Sequence, residues 1–437
     1  MNQSTIAVLH CPHCGSTFHI NQILKENKGD IIHAIISCEC RKYPILEGIL
    51  VIQTSGNVQK VIEKVEKGSI AGAFKLLVQS EFIETKITAP MSLRRIAAFF
   101  KIWLRLSKKY RVSLRKLKYL EGINEASFCE MIGKLLSGNL RDYFIHRFSF
   151  QSFWNIYPLI PLIKEAGTPI LDFGCGYGHG SFILSQLFPP KNIFCIEKSY
   201  LKLFLTKNYF ADAERICLDK ISLLPFNDNF FSTIFSMDAF HIMSSKLLLA
   251  KEFQRVLKTN GVLLLTHLPN TYGYNPFPLS PAAYQKLFDM LKTNLIPEEH
   301  LVKKLYEDTL DLTKQYSKEL INSSDANTLI GSRKNDMLKR YSNVKDEFLM
   351  LKSNLELNPI YQLKEKNDKV LLIRKLLEGY KRACPLADRI LPQELEIDKE
   401  ILRIAKEVET GTTQEEIEEI HELMEKFVLI NVPPNYI

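Results

Sequence analysis

A run of alternating glycines stands beside a carboxylate at Leu171-Asp172-Phe173-Gly174-Cys175-Gly176-Tyr177-Gly178-His179-Gly180. Glycine has no Cβ, so such a run lets the chain turn sharply and lets its backbone approach a ligand closely. A helix following the turn offers unpaired N–H groups and the positive end of its dipole. The spacing is Gly-x-Gly-x-Gly. A dinucleotide fingerprint, Gly-x-Gly-x-x-Gly, needs glycine at 179 or 181, where the chain has His179 and Ser181. A carboxylate at Asp172 suits a ligand that carries an ammonium group and sits badly beside a pyrophosphate. Glu197 ends the next apolar run, where a carboxylate can accept hydrogen bonds from both hydroxyls of a ribose.

A second chemical signal lies near the N-terminus. Four of the nine cysteines fall within the first forty residues, in Cys11-Pro12-His13-Cys14 and Cys38-Glu39-Cys40. Thiolates are soft, charged ligands, and four of them satisfy tetrahedral zinc. A segment of about 50 residues has too little core to fold easily alone, so a metal staple is expected. Cys11, Cys14, Cys38 and Cys40 are the candidate ligands, with His10, His13 or His33 as alternatives for the fourth position. The remaining cysteines are scattered, and the N-terminus has no basic region followed by an apolar core. Both point to a reducing cytoplasm.

These residues need a frame. From residue 168 onward, short apolar runs at 169–173, 192–197, 215–219, 230–237 and 261–267 alternate with helical stretches. That pattern predicts an α/β fold with a parallel sheet covered on both faces, and a ligand site beyond the carboxyl ends of its strands. Residues 56–150 read as helical and basic: no acidic residue occurs between Glu84 and Glu121, and ten lysines and arginines fall within 94–118. A basic amphipathic helix can lie on RNA or on an anionic surface, although most such faces are simply solvated. Beyond residue 270, a helical insertion is expected over 271–352, a closing strand hairpin over 353–374 and a helical tail over 375–437. Composition is that of a globular chain, with 46% hydrophobic and 24% charged residues. The net charge of +8 is mild for 437 residues, and no apolar run is long enough to span a membrane.

The 168–270 stretch resembles class I S-adenosylmethionine (SAM)-dependent methyltransferases, whose signature Asp-x-Gly-x-Gly-x-Gly is matched in full by residues 172–178. The resemblance continues through Cys217-Leu218-Asp219, Leu224-Pro225-Phe226 and Ser236-Met237-Asp238-Ala239-Phe240-His241. It implies a Rossmann-like seven-stranded sheet over 151–270 with its closing hairpin. It also implies SAM as cofactor, with Asp172, Gly174, Cys175, Gly176 and Gly178 around its methionine end. Glu197 and Lys198 fall at the ribose, Asp219 and Lys220 at the adenine, and Asp238 near the reacting methyl. Tyr143 and Arg147 are further candidates for cofactor contact. His241 and His267 follow strand ends on the same edge, and His241 is the candidate general base.

The first 55 residues resemble the small zinc-ribbon activator subunit of several tRNA, rRNA and translation-factor methyltransferases, through Cys11-Pro12-His13-Cys14 and Tyr43-Pro44-Ile45-Leu46-Glu47-Gly48-Ile49. Two chemistries are disfavoured by the residues after the fourth strand. The Pro-Pro motif of amino-methylating enzymes is not there, since Pro433-Pro434-Asn435-Tyr436 lies elsewhere, and neither is a cysteine nucleophile for cytosine C5. The leading expectation is a methyltransferase acting on a small molecule. The alternatives are an RNA methyltransferase carrying its activator in cis, and a non-catalytic SAM-binding regulatory protein.

Overall fold

The computed structural model describes residues 1–53, 57–83, 112–219, 223–270, 278–351, 354–366, 368–376, 386–406 and 413–437. Lys220 and positions 94–111 of the basic stretch lie outside the described residues. The strands are β1 (His19–Asn27), β2 (Asp30–Ser37), β3 (Lys42–Leu46), β4 (Ile49–Ile52), β5 (Ile170–Phe173), β6 (Ile193–Glu197), β7 (Glu214–Leu218), β8 (Phe231–Met237) and β9 (Leu257–Pro269). They continue with β10 (Lys292–Pro297), β11 (Thr309–Asp311), β12 (Ala326–Ser332), β13 (Arg340–Ser342), β14 (Asn354–Leu357), β15 (Tyr361–Lys366), β16 (Lys369–Arg374), β17 (Glu394–Asp398) and β18 (Leu429–Val432).

The large sheet has eleven strands in the order β1-β2-β3-β4-β7-β6-β5-β8-β9-β12-β10. Its centre is the expected α/β core. Strands β5 to β9 are mutually parallel, and β12 and β10 close the far side antiparallel. The sequence explains why both faces are covered. Along β6, Ile193 and Cys195 enter one hydrophobic cluster and Phe194 and Ile196 the other; along β9, Val262 and Leu264 alternate with Leu263 and Leu265 in the same way. A strand apolar at every position buries both of its faces.

Two expectations are corrected. The closing hairpin is not 353–374: β10 and β12 fill that place, whereas β14 pairs with β18 and β15–β16–β17 form a separate sheet. The run at 355–361 has strand-like composition, but periodicity alone cannot tell which sheet a strand joins. The segment 271–352 is therefore not purely helical, since it contains β10 to β13. The tail likewise contributes β17 and β18 and packs on the core, with Phe427 stacked on Trp154 at 4.1 Å.

The N-terminal β region does not stand apart from the core. β4 runs parallel to β7, with Ile49 opposite Arg215 and Ile52 opposite Leu218. β3 and β2 then follow antiparallel. This register brings the β2–β3 turn, which carries Cys38 and Cys40, to the sheet edge where β7 ends.

Candidate active site

The strand order reverses at β5, whose neighbours are β6 and β8, and crevices form at such a reversal. The glycine loop leaves β5 there. Gly174, Gly176 and Gly178 have φ of +70°, +59° and +102°, a region L-residues with side chains rarely occupy. A Cβ on Gly174 would lie 2.6 Å from the Ala239 Cβ, and one on Gly178 would lie 2.6 Å from Thr206 Cγ2. Around Gly176 the equivalent space is open. Cys175 sits half-buried between these glycines.

Asp172 is buried and accepts a 2.5 Å hydrogen bond from Ser181 Oγ, in the first turn of the helix after the loop. Burial pushes its carboxyl up to about 7, the Ser181 hydrogen bond opposes that, and Glu197 adds to it. Glu197, at the end of β6, accepts from the backbone N–H of Gly176 at 3.2 Å, of Lys198 at 2.9 Å and of Ser199 at 3.2 Å. The two carboxylates thus flank one loop. Lys198 is exposed, and its neighbour in the next turn, Lys202, holds its ammonium 4.0 Å from Glu197. Asp219 follows β7 on the same edge, partly buried.

A second cluster, centred on Asp238, lies just past the end of β8; His267, expected to follow a strand end, sits within β9, near its end. Its Oδ2 accepts from Tyr143 Oη at 2.5 Å and lies 3.5 Å from the Arg147 guanidinium. Its Oδ1 lies 3.7 Å from His241 Nε2 and 3.8 Å from His267 Nε2. His267 Nδ1 is 3.0 Å from Glu298 Oε2. Asp238 and His267 have φ of +54° and +57°. Left-handed backbone at two facing non-glycine residues costs free energy and is characteristic of functional sites.

The electrostatics separate the two imidazoles. Burial opposes charge on His267, but Asp238 and Glu298 outweigh it and push the ring up to about 9. Burial takes His241 down to about 4 against the pull of Asp238. Burial also opposes ionisation of Asp238, yet His267, Arg147 and His241 together hold its carboxyl below the usual range. At neutral pH the cluster therefore holds an Asp238 carboxylate, a cationic His267 and a neutral His241.

Residues 171–265 match the family model described as a methyltransferase domain. This stretch is a methyltransferase domain. Curated relatives include a malonyl-[acyl-carrier protein] O-methyltransferase from Legionella pneumophila, 28% identical over 27% of this chain and 42% of its own length. Another is a tRNA U34 carboxymethyltransferase from Nautilia profundicola, 27% identical over 36% of this chain and 55% of its own. The chain thus spans about half the length of these relatives. Among solved structures, the YcgJ protein of Bacillus subtilis matches 40% of this chain and 98% of its own with a TM-score of 0.28 and 17% identity.

The methyltransferase domain holds Asp172, Gly174, Cys175, Gly176, Gly178, Glu197, Lys198, Asp219, Asp238 and His241 along one sheet edge. Tyr143 and Arg147 reach that edge from outside the domain, and they meet Asp238. Sequence reading missed Glu298, which opens a helix directly after β10. No motif marks it, because its role depends on β10 crossing back beside β12.

The cysteines also converge. The Sγ atoms of Cys11, Cys14, Cys38 and Cys40 all lie within 4.8 Å of one another, with Cys11 and Cys40 at 3.7 Å. A tetrahedron of Zn–S bonds of ~2.3 Å has edges of ~3.8 Å, so the donor set fits zinc. The knuckle is shaped for ligation: Gly15, at φ +75°, donates its N–H to the Cys11 carbonyl, and His13 N–H points at Cys11 Sγ from 3.4 Å. His33 is instead engaged with Glu47, at 3.6 Å on one side of its ring.

Proposed function

We propose that this protein transfers a methyl group from SAM to a small-molecule acceptor seated at the Asp238 cluster, and that its four N-terminal cysteines hold a structural zinc ion. The observation that carries the reading is the joining of two sites on one sheet edge. A glycine loop flanked by Asp172 and Glu197 stands next to a buried polar cluster with one neutral imidazole.

The residues fit SAM. Asp172 is an anion for the methionine ammonium, the open space at Gly176 admits the backbone of the ligand, and Glu197 has lone pairs for the ribose hydroxyls. Asp219, and by the sequence match Lys220, belong to the adenine end, with Cys175 and Lys198 bordering the cofactor. SAM supplies a methyl on a sulfonium, already activated for transfer, so the protein contributes positioning and exclusion of water.

His241 keeps its lone pair at neutral pH and faces Asp238, which would stabilise the imidazolium formed on taking a proton from an acceptor hydroxyl or amine. His267, pinned as a cation between Asp238 and Glu298, orients that carboxylate instead. Tyr143 and Arg147 close the cluster from the preceding helical segment. A buried polar cluster of this kind suits a small acceptor better than an extended nucleic acid.

The test is transfer from methyl-labelled SAM into an extract of source cells, separated into RNA, protein and small molecules, with Glu197→Ala as control. Label in the small-molecule pool that disappears with Glu197→Ala is the expected result. Label in nuclease-sensitive material would overturn the small-molecule reading in favour of an RNA acceptor, with residues 94–118 as its contact. No label in any pool, with SAM bound, would favour a regulatory protein.

A further inference from the structure

The corner that follows Glu197 is held by residues far outside the methyltransferase domain. After Glu197 the chain runs through Lys198 and Ser199 into the helix Tyr200–Tyr209. Glu81, from the helix Ile70–Ile83, reaches this corner with both carboxylate oxygens: Oε2 accepts from Ser199 Oγ at 2.5 Å and Oε1 from Leu201 N–H at 3.0 Å. Gln53, one residue past β4, donates through Nε2 to the Lys198 carbonyl at 3.3 Å and lies 3.1 Å from Cys217 Sγ. Glu197 itself ties the same corner to the glycine loop through Gly176 N–H.

The arrangement is unfavourable unless it has a use. Glu81 places a second carboxylate near Glu197, and its burial is costly; burial, with Glu197 adding to it, raises the Glu81 pKa. A helix N-terminus already capped by Ser199, whose Oγ accepts from Lys202 N–H at 3.1 Å, does not need another acid for its own stability. What Glu81 and Gln53 add is fixed placement: together they clamp the hydroxyl, one carbonyl and one N–H of the four-residue stretch 198–201. That stretch decides where the Glu197 oxygens point. Carboxylates aimed at a diol must be held to fractions of an ångström, and the groups behind them set that precision.

We infer that Glu81 and Gln53 are positioning residues for cofactor binding, acting through the 198–201 corner on Glu197, so that the N-terminal 83 residues complete the cofactor site. This rests on the reading of Glu197 as the ribose ligand. Glu81→Ala weakens SAM binding about tenfold and Gln53→Ala about threefold. Glu81→Gln, which keeps an acceptor for Leu201 N–H and reverses the bond with Ser199 Oγ so that the amide donates to it, stays within about twofold of the parent.

The experiment is calorimetric titration of the full-length protein with SAM and with S-adenosylhomocysteine, alongside melting temperatures. It covers the parent, these variants, Glu197→Ala and the Glu81→Ala/Glu197→Ala double variant. Action through Glu197 predicts that Glu81→Ala costs less than about twofold once Glu197 is gone. A purely structural role predicts the same factor in both backgrounds. Parent-like affinity in Glu81→Ala, or additive losses in the double variant, overturns the proposal while leaving the cofactor reading intact. Failure of the parent to bind either ligand overturns both. If Glu81→Ala does not fold, Gln53→Ala and its double variant with Glu197→Ala decide by the same criterion.

Discussion

The Asp172 carboxyl is held near pH 7 by burial, and this gives the candidate cofactor site a testable pH dependence. The ionised form attracts an ammonium group and the protonated form does not. SAM affinity therefore rises by up to about tenfold per unit as pH climbs from about 5.5 to 7, and levels off above. Asp172→Asn is expected to bind weakly and to flatten that profile in a titration series. The His267 pairing has the opposite sense. Its folded pKa of about 9 lies above the ordinary 6.5, so its stabilisation is complete below about pH 6.5 and is lost as pH rises through 9. The stability gap between parent and His267→Gln is expected to approach about 3 kcal/mol at the low end and to close toward pH 10, as read from denaturant midpoints. Gly174 tests the loop itself. Its +70° φ and the 2.6 Å approach of Ala239 mean that Gly174→Ala should cost more than about 1 kcal/mol and displace the 239–243 segment from the Asp238 cluster.

At the scale of elements, the cysteine cluster and the strand pair β2–β3 depend on one another. The knuckle turn at Gly15 and the β2–β3 turn bring the four thiols together, within 4.8 Å of one another. Expressed protein is expected to carry one zinc per chain by elemental analysis. Chelation, or Cys38→Ser, is expected to lower Tm by about 5 °C or more. A metal-free protein of unchanged Tm would count against a structural zinc. Tyr43 to Ile52 is nearly all apolar, as suits β3 and β4, which are buried almost throughout. The closing strands β10 and β12 were not legible in the sequence. Asn294, Asn327 and Thr328 interrupt their apolar runs and are buried in the fold, where Asn294 Nδ2 donates to the Leu312 and Lys314 carbonyls and Asn327 Nδ2 to the Ile321 carbonyl. Asparagines buried through distant partners, as at 294 and 327, disguise a strand as a loop.

At the scale of the whole molecule, the large sheet is shared by segments that are remote in the chain. Strand β7 would be an edge if β4 were not beside it, and exposed edges of parallel sheets invite association. Removing residues 1–53 is therefore expected to give aggregated protein, measurable by soluble yield and size-exclusion chromatography. The C-terminal tail is similarly built in: Tyr436 Oη donates to the Phe144 carbonyl at 2.9 Å and lies 3.3 Å from His179 in the helix after the glycine loop, while its ring stacks on Phe128. Its burial brings the end of the chain against the helical segment that carries Tyr143 and Arg147.

The sequence by itself determined the parallel core, the glycine loop with its carboxylates, and the four cysteines, because each is a local pattern: a strand period, a backbone requirement for glycine, a ligand spacing. Only the tertiary structure decided that β4 joins β7, that β10 and β12 close the sheet, that Glu298 meets His267, and that Glu81 grips the corner beside Glu197. Those are pairings across tens to hundreds of residues, set by which faces remain uncovered once the local elements have formed, and no spacing in the chain records them.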